Sequence, residues 1–373
     1  MAGSGDRKAL KIDAPPLTAW RYFLRGWRLS ALLLVPASIL VSILTTSSAL
    51  AFGLSALSLV PLAAALGSAT EELSSHLGPA LGGLLNATLG NATELILGFV
   101  LLWHGQVQIV KASLSGSIIG NLLLVSGLAI FVGGIHREEQ CFNRRAAGAS
   151  NTMLFLAVVA LVMPAFFEVT IDSSLKRGGG IIELVSLWTA LVLLISYFGS
   201  LVFTFRTHRD LFGRAGQEPP RVTQGAALAA LLLSGGIIAI ESAILGSCVE
   251  AASHALGWPD TFLGVVVLAV VGNAAEHSTA IAMAGKDKMD LALSVTMGSS
   301  TQIALFVAPL LVVLSRFSAT PMTLVFPPLE IVAVILSVAA IALVSFDGET
   351  NWFEGLQLLS VYLILAVFFY YLP

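Results

Sequence analysis

Long apolar stretches, separated by short groups of charged residues, glycine and proline, run along nearly the whole chain. A helix needs about 20 apolar residues to cross the hydrocarbon core of a bilayer, whereas a strand of a membrane barrel is an alternating segment of about ten. The stretches here are continuous, so they predict an all-α polytopic membrane protein. We expect about eleven transmembrane helices, near residues 29–46, 50–77, 80–104, 107–134, 148–168, 181–205, 223–254, 259–284, 288–315, 322–346 and 352–372.

The composition favours the same location. Hydrophobic residues make up 57% of the chain and charged residues only 11%, against about 25% charged in soluble domains. The lipid bilayer is therefore the predicted partner, and the small net charge of -3 gives no reason to expect nucleic acid. The two cysteines, Cys141 and Cys248, predict neither a disulfide framework nor a metal site. We expect no cofactor.

The lysines and arginines predict the orientation, because short loops rich in these residues stay in the cytoplasm. With the N-terminus inside, only four of the 19 basic residues fall on the outer side: Lys111, Lys176, Arg177 and Arg316. An outer C-terminus and an odd number of spans follow. A cleaved signal peptide is an alternative for the first apolar stretch, although the preceding segment 1–28 is long for one.

A hydrophilic stretch, Thr207–Arg221, contains two prolines and two glycines and separates two halves of the chain. We expect a cytoplasmic N-terminus and first helix in 1–48, a first five-helix repeat in 49–206, a cytoplasmic linker in 207–221 and a second five-helix repeat in 222–373. With five spans in each half, the second half enters the membrane from the opposite side. The halves are then inverted-topology repeats.

The repeat is visible in two polar segments, Gly90–Leu95 (GNATEL) and Gly272–His277 (GNAAEH). A shift of 182 residues superposes them, and the same shift pairs Gly116–Ser117 with Gly298–Ser299. One register that aligns two separate segments indicates duplication. Inverted repeats of this kind place their substrate site near the midplane of the membrane, between the repeats.

The repeated motif brings a carboxylate and an amide oxygen to one face of a helix, as Asn91 with Glu94 and as Asn273 with Glu276. An ionised carboxylate at membrane depth costs about 2.5–3.5 kcal/mol even on insertion scales, so each one needs a reason to be there. Calcium takes six to eight oxygen ligands from carboxylates, carbonyls and water. We expect these four residues to hold a metal ion. The alternative is that they only hydrogen-bond neighbouring helices.

Further polar residues accompany the two motifs. Gly90 and Gly272 would let helices approach closely or break. A vestibule or proton route is expected from Glu71, Glu72, Glu250 and His277. Helix packing or ion contacts are expected from Gly90, Gly272, Ser117, Ser299, Ser300 and Gln302. For Glu72 the end of a helix at the membrane surface is an alternative, and for His277 a hydrogen-bonded histidine of the core.

The two glutamates also suggest how transport would be coupled. Two carboxylates that share a site cannot both ionise cheaply without a cation, so departure of the metal favours protonation. Occupancy by either metal or protons, and not by both, would enforce exchange. An enzyme is not expected, because the chain has no His-Glu-x-x-His pair and the adjacent Glu276 and His277 lie on different helix faces.

Together, these motifs resemble the cation/proton exchanger family of the calcium/cation antiporter superfamily. The residues that carry the resemblance are Gly90–Leu95, Gly272–His277, Gly116–Leu124 and Gly298–Leu305. The resemblance implies eleven helices, with the first outside two inverted repeats, and export of Ca²⁺ in exchange for H⁺ by alternating access. It also implies that Glu94 and Glu276 bind the ion, that Asn91 and Asn273 neighbour it, and that Glu71, Glu250 and His277 serve the vestibule and proton route.

Two departures from the family pattern bear on location and coupling. The linker is short and basic where vacuolar members have an acidic helix, and the chain lacks their long N-terminus, so we expect a bacterial-type plasma membrane, with a vacuolar membrane as the alternative. The sodium-coupled branch usually has proline before the repeat acid, where this chain has Thr93 and Ala275. Coupling to protons is therefore expected rather than coupling to sodium.

Three other activities remain open. An exchanger of the same fold could carry sodium or potassium against protons, or couple sodium to calcium, because the same glutamates can hold monovalent ions. A passive cation channel would also need buried acids, although an inverted duplication favours a transporter.

A homo-oligomer is a further expectation that the sequence leaves open. The spacing of Gly78 and Gly82 suits packing within one chain as well as packing between two copies.

Overall fold

The computed structural model describes Phe23 and residues 33–45, 47–171, 180–207 and 219–371. Most of the predicted linker (208–218), Lys176, Arg177 and the start of the first predicted span lie outside these residues. The helices that follow Phe23 are, in chain order, α1 (Leu34–Leu44), α2 (Ser48–His76), α3 (Gly78–Leu89), α4 (Ala92–Trp103), α5 (Val107–Gly134), α6 (Arg144–Thr170), α7 (Ile181–Thr207), α8 (Gln224–Leu256), α9 (Asp260–Gly272), α10 (Ala274–Gly285), α11 (Met289–Ser315), α12 (Pro328–Val344) and α13 (Trp352–Tyr371).

Seven of these helices, α2, α5, α6, α7, α8, α11 and α13, are long and apolar enough to cross a membrane. The pairs α3–α4 and α9–α10 pass the same test only together, and each is bent at a short break. The apolar helices α1 and α12 are shorter, with 11 and 17 residues. The prediction of a helical membrane protein is thus confirmed, whereas the count of eleven spans stays a prediction.

The described residues depart from a purely helical chain in one small β-pair. Strand β1 (Gln140–Cys141) runs antiparallel to β2 (Glu349–Thr350), with Gln140 opposite Thr350. The pair joins the segment after α5 to the segment before α13. Cys141, which the sequence places in a loop, therefore lies on a two-residue strand.

Among the described residues, four helices contain a wider π-helical turn: α5 at Gly120–Val125, α7 at Phe203–Thr207, α9 at Leu263–Leu268 and α11 at Ile303–Val307. The turns in α5 and α11 occupy nearly equivalent positions under the repeat shift. Such turns are often found at functional sites, because they change the direction of the side chains that follow. The turns in α5 and α11 adjoin the polar segments 113–121 and 294–302, one in each half.

Helices α2 and α8, equivalent under the predicted repeat, pack along each other. Helix α9 packs against the first half of α5 through glycines. A Cβ at Gly116 would overlap the backbone of Val265 and lie 2.6 Å from its carbonyl carbon, and a Cβ at Gly264 would overlap Ala112. Glycine is therefore required for this close approach. These contacts hold α9 in place, and its last residues lead into the candidate site.

Candidate ion-binding site

Each repeated motif lies at a break between two helices. The axes of α3 and α4 differ by 42°, and those of α9 and α10 by 62°. The backbone leaves the helical conformation at the asparagines, with φ -97° and ψ 32° at Asn91 and φ -95° and ψ 7° at Asn273. Gly90 keeps helical dihedrals, but a Cβ there would lie 2.8 Å from the Asn86 carbonyl oxygen. Asparagine thus makes the turn, and Gly90 provides space.

The two glutamates stand in the first turns of α4 and α10. Backbone N–H groups at a helix N-terminus stabilise a nearby negative charge. Glu94 is buried and interacts electrostatically with Glu276, which is partly buried. A Cβ at Gly272 would lie 3.5 Å from Glu94 Oε1, so this carboxylate reaches across to the opposite break. The structure therefore brings the two predicted acids together.

Asn273 offers an oxygen to the same region. Its Nδ2 donates to the Ala269 carbonyl oxygen at 2.9 Å and to Ser117 Oγ at 2.8 Å. A carbonyl can only accept, so these bonds fix the orientation of the amide. Asn273 Oδ1, Glu94 Oε1 and Glu276 Oε2 are all buried and have no hydrogen-bond donor among the described residues. A bound cation would satisfy all three oxygens.

Asn91 is held differently. Its Oδ1 accepts from Ser299 Oγ at 2.7 Å, and its Nδ2 donates to Gln302 Oε1 at 2.7 Å. Asn91 is 2% exposed. Both polar atoms of the amide are therefore paired with α11, so the site as it stands holds one free amide oxygen rather than two.

Asn121 connects the two halves, and the sequence analysis did not single it out. Its Nδ2 donates to Ser299 Oγ at 3.0 Å, so its Oδ1 is left to accept from His277 Nε2 at 3.2 Å. The Gly120-Asn121 dipeptide repeats the Gly-Asn of both motifs, which is a signal that could have found it. His277 is thus joined to the site through one amide and one hydroxyl.

The remaining predicted residues differ in burial and in the partners that they contact. Ser300 is buried and donates to the Thr296 carbonyl oxygen of its own helix. Glu71 and Glu250 are exposed at the protein surface. Glu72 is buried, and its carboxylate accepts from the backbone N–H groups of Arg221 and Val222. The structure does not bring these three acids into the centre with Glu94 and Glu276.

Three buried ionisable residues escaped the sequence analysis. Lys111 was counted with the outer charges, but it lies inside the protein with 5% exposure, because the segment before α12 covers it and accepts its hydrogen bonds. Glu330 is 1% exposed in the first turn of α12. Glu241 of α8 is fully buried, with Ser38 Oγ of α1 at 2.7 Å from both of its carboxylate oxygens. None has an ionisable counterpart at the repeat-equivalent position.

The described residues contain no group of three or more His, Cys, Asp or Glu side chains that could hold a metal ion. The candidate site instead combines two carboxylates with one amide oxygen. Oxygen ligands of this kind suit hard cations such as calcium and not the softer metals that need His or Cys.

Fold and site together define a class of protein: a helical membrane protein with several spans, in which two broken helix pairs meet at paired acids. The chain belongs to the sodium/calcium exchanger protein family, whose sequence profile matches residues 47–206 and 226–371. This membership confirms the resemblance inferred from the motifs.

Individual relatives are similar over nearly the whole chain. The chain is 43% identical to the Ca²⁺/H⁺ antiporter of Synechocystis sp., over 86% of this chain and 91% of that protein. It is 40% identical to the Ca²⁺/H⁺ antiporter ChaA of Bacillus subtilis, over 91% of this chain and 97% of that protein. The solved structure of native YfkE is similar in fold, with a TM-score of 0.80 and 37% identity over 93% of this chain and 100% of that chain.

Proposed function

We propose that this protein exchanges Ca²⁺ for H⁺ across a membrane, at a site between the two helix breaks. The observation that carries the proposal is the group of three buried oxygens without a donor, Glu94 Oε1, Glu276 Oε2 and Asn273 Oδ1. Carboxylate and amide oxygens are ligands for calcium. The relatives named Ca²⁺/H⁺ antiporters support the same pair of ions.

The exchange follows from the electrostatics of the pair. Glu94 and Glu276 repel each other when both are ionised, and Ca²⁺ removes this cost. When Ca²⁺ leaves, protons take its place, so the binding of one ion excludes the other. We propose His277, Glu71 and Glu250 for the vestibule and proton route. Glu72 is better explained as an anchor for the linker backbone.

We further propose eleven spans, with α1 outside two inverted five-helix repeats in 49–206 and 222–373. Two reciprocal hydrogen bonds support the duplication: Asn273 donates to Ser117, and Ser299 donates to Asn91. The shift of 182 residues takes Asn91 to Asn273 and Ser117 to Ser299, so the two bonds join equivalent residues of opposite halves. The proposed orientation has the N-terminus in the cytoplasm and the C-terminus outside, in a bacterial-type plasma membrane, with a vacuolar membrane as the alternative.

In that orientation the tight contact of Gly116 with Val265 lies in the outer half of the membrane. Its repeat counterpart, Gly298, lies in the inner half, where a Cβ would meet nothing within 4 Å. We propose that this difference in packing marks one of the two states that alternating access requires, with the outer half the more closely packed.

The test is Ca²⁺ uptake into proteoliposomes under an imposed proton gradient. Glu94→Gln and Glu276→Gln remove the charge but keep the shape, so each is expected to abolish gradient-driven uptake. Glu183→Gln is the matched control, because Glu183 is a partly exposed residue paired with Arg316 at 2.8 Å and such pairs near the surface contribute little. Uptake driven by sodium, or Ca²⁺ movement indifferent to the proton gradient, would contradict the proposal.

A further inference from the structure

A second group of buried charged and polar side chains lies between α5 and α12, apart from the candidate Ca²⁺ site. Lys111 and Ser115 are one helical turn apart on α5 and share a face. Glu330 approaches them from α12, and Ser115 Oγ donates to Glu330 Oε2 at 2.7 Å. All three are at most 5% exposed. Burial of an ionisable side chain inside a membrane protein costs free energy, so the presence of Lys111 and Glu330 here needs an explanation.

Glu330 is incompletely paired. Its second oxygen, Oε1, is buried and has no hydrogen-bond donor among the described residues. Ser115, the donor to Oε2, also lies 3.1 Å from the Ala112 carbonyl oxygen and shares its one proton between the two. A carboxylate that only served to hold helices together would normally be fully hydrogen-bonded. Oε1 is therefore free to accept a proton.

Lys111 does not neutralise Glu330 by direct contact. Its Nζ donates to the Val325 carbonyl oxygen at 2.6 Å and to Thr323 Oγ1 at 3.2 Å, in the segment before α12. The ammonium group lies close enough to interact electrostatically with Glu330, but the two form no direct ion pair. The arrangement balances the charge and leaves the carboxylate available for exchange of a proton.

A metal ion does not suit this place. The nearby ammonium group of Lys111 repels cations, and the oxygens of Glu330, Ser115 and Thr323 fall short of the six to eight that calcium requires. The adjoining enclosed cavity, lined by Ser115, Leu324 and Phe326 among others, has a volume of about 10 Å³. That space is about enough for one water molecule. A proton fits, but a coordinated metal ion does not.

The position of α5 gives the group a link to the candidate Ca²⁺ site. Ser115 contacts Glu330, and two residues further along the same helix Ser117 accepts from Asn273 Nδ2. A change in the contact between Glu330 and Ser115 therefore acts on the helix that orients a proposed Ca²⁺ ligand. The repeat counterparts of Lys111, Ser115 and Glu330 are Leu293, Met297 and Gly148, so the group joins the two halves but is not duplicated.

We propose that Glu330 is a second proton-binding group of this protein, separate from the Ca²⁺ site, which takes up and releases a proton during the transport cycle. This inference rests on the proposed Ca²⁺/H⁺ exchange. The helices packed against α12 are α5, α6 and α13. Their charged groups near Glu330 are Lys111 of α5 and, next to Lys111, Glu168 of α6. Glu354 of α13 is bound to Thr350 at the other end.

The test compares two activities of the same reconstituted protein. One is Ca²⁺ uptake driven by a proton gradient, and the other is exchange of radioactive for unlabelled Ca²⁺ at equal pH, which needs alternating access but no proton transport. Glu330→Gln is expected to lower gradient-driven uptake about tenfold, a change typical of lost coupling between two sites, while Ca²⁺/Ca²⁺ exchange is retained. Glu183→Gln is the control and should change neither.

The outcomes separate the two proposals. If Glu330→Gln lowers both activities equally, or neither, Glu330 is not a proton-binding group of the cycle. Ser115→Ala, which removes the hydrogen bond to Glu330 and keeps the carboxylate, should also lower gradient-driven uptake selectively, and an equal loss of both activities would again overturn the inference. If the parent protein exchanges Ca²⁺ but does not respond to a proton gradient, the proposed Ca²⁺/H⁺ coupling fails instead.

Discussion

The two broken helix pairs have nearly the same sequence motif but different surroundings. The first pair is bent by 42° and the second by 62°. The second pair packs on α5 so closely that Gly116 has no room for a Cβ, whereas the equivalent Gly298 has open space. A duplicated sequence therefore does not require two equal local structures. In an alternating-access protein the two halves are expected to differ, because only one side of the site is open at a time.

The asparagines differ in the same way. The amide oxygen of Asn91 accepts from Ser299, whereas that of Asn273 has no donor among the described residues. The repeat pairs the same two residue types, but the second half supplies the free oxygen. Each of the following predictions changes one half and uses the equivalent position of the other half as its control.

The largest expected effect concerns the two glycines. Gly116→Ala introduces a Cβ that would overlap the Val265 backbone, so α5 and α9 must separate, and overpacking of this kind costs about 1–3 kcal/mol of unfolding free energy. Gly298→Ala adds a methyl group in open space and should change stability by less than about 0.5 kcal/mol. Thermal unfolding of the purified variants measures both. Equal destabilisation would mean that the two halves do not differ in packing.

Much of the helical architecture was predictable, because long continuous apolar stretches have few alternatives in a chain with 11% charged residues. The pairing of Glu94 with Glu276 was predictable from the duplication, since equivalent positions of inverted repeats meet between the halves. The bends were not predictable in size. They depend on the packing of α9 against α5, which involves residues far apart in the sequence.

The sequence analysis missed Asn121, Glu330 and Lys111 because none of them has a residue of the same kind at the repeat-equivalent position. Asn121 has Ile303 as its repeat counterpart, and Glu330 has Gly148, so duplication gave no signal for either. Lys111 lies four residues inside the predicted span 107–134, close to the membrane surface, where a basic residue is ordinary. Its burial results from the segment before α12, which folds over it and accepts its hydrogen bonds. The contacts of Lys111 depend on the tertiary fold and leave no local pattern, whereas Asn121 left one in its Gly-Asn dipeptide.

The second prediction concerns the free oxygen. Asn273→Ala removes an oxygen that has no other partner, so Ca²⁺ affinity should fall about tenfold, the low end of the range found when a group that supports a metal site is lost. Asn91→Ala removes an oxygen already bonded to Ser299, so its effect on affinity should be smaller. Equilibrium binding of radioactive Ca²⁺ to the purified variants measures the difference. A greater loss in Asn91→Ala would show that the bound state rearranges the first half.

The smallest expected effect concerns the serines that hold the two amides. Ser299→Ala leaves Asn91 Oδ1 without its donor and should lower stability by about 1 kcal/mol in the absence of Ca²⁺. Ser117→Ala should cost less, because Asn273 Nδ2 keeps its bond to the Ala269 carbonyl oxygen. The freed oxygen of Asn91 then becomes available to the ion, so the rise in melting temperature on adding Ca²⁺ should be larger in Ser299→Ala than in the parent protein. An unchanged or smaller rise would mean that the first half cannot offer a second amide oxygen, and that the difference between the asparagines persists when Ca²⁺ is bound.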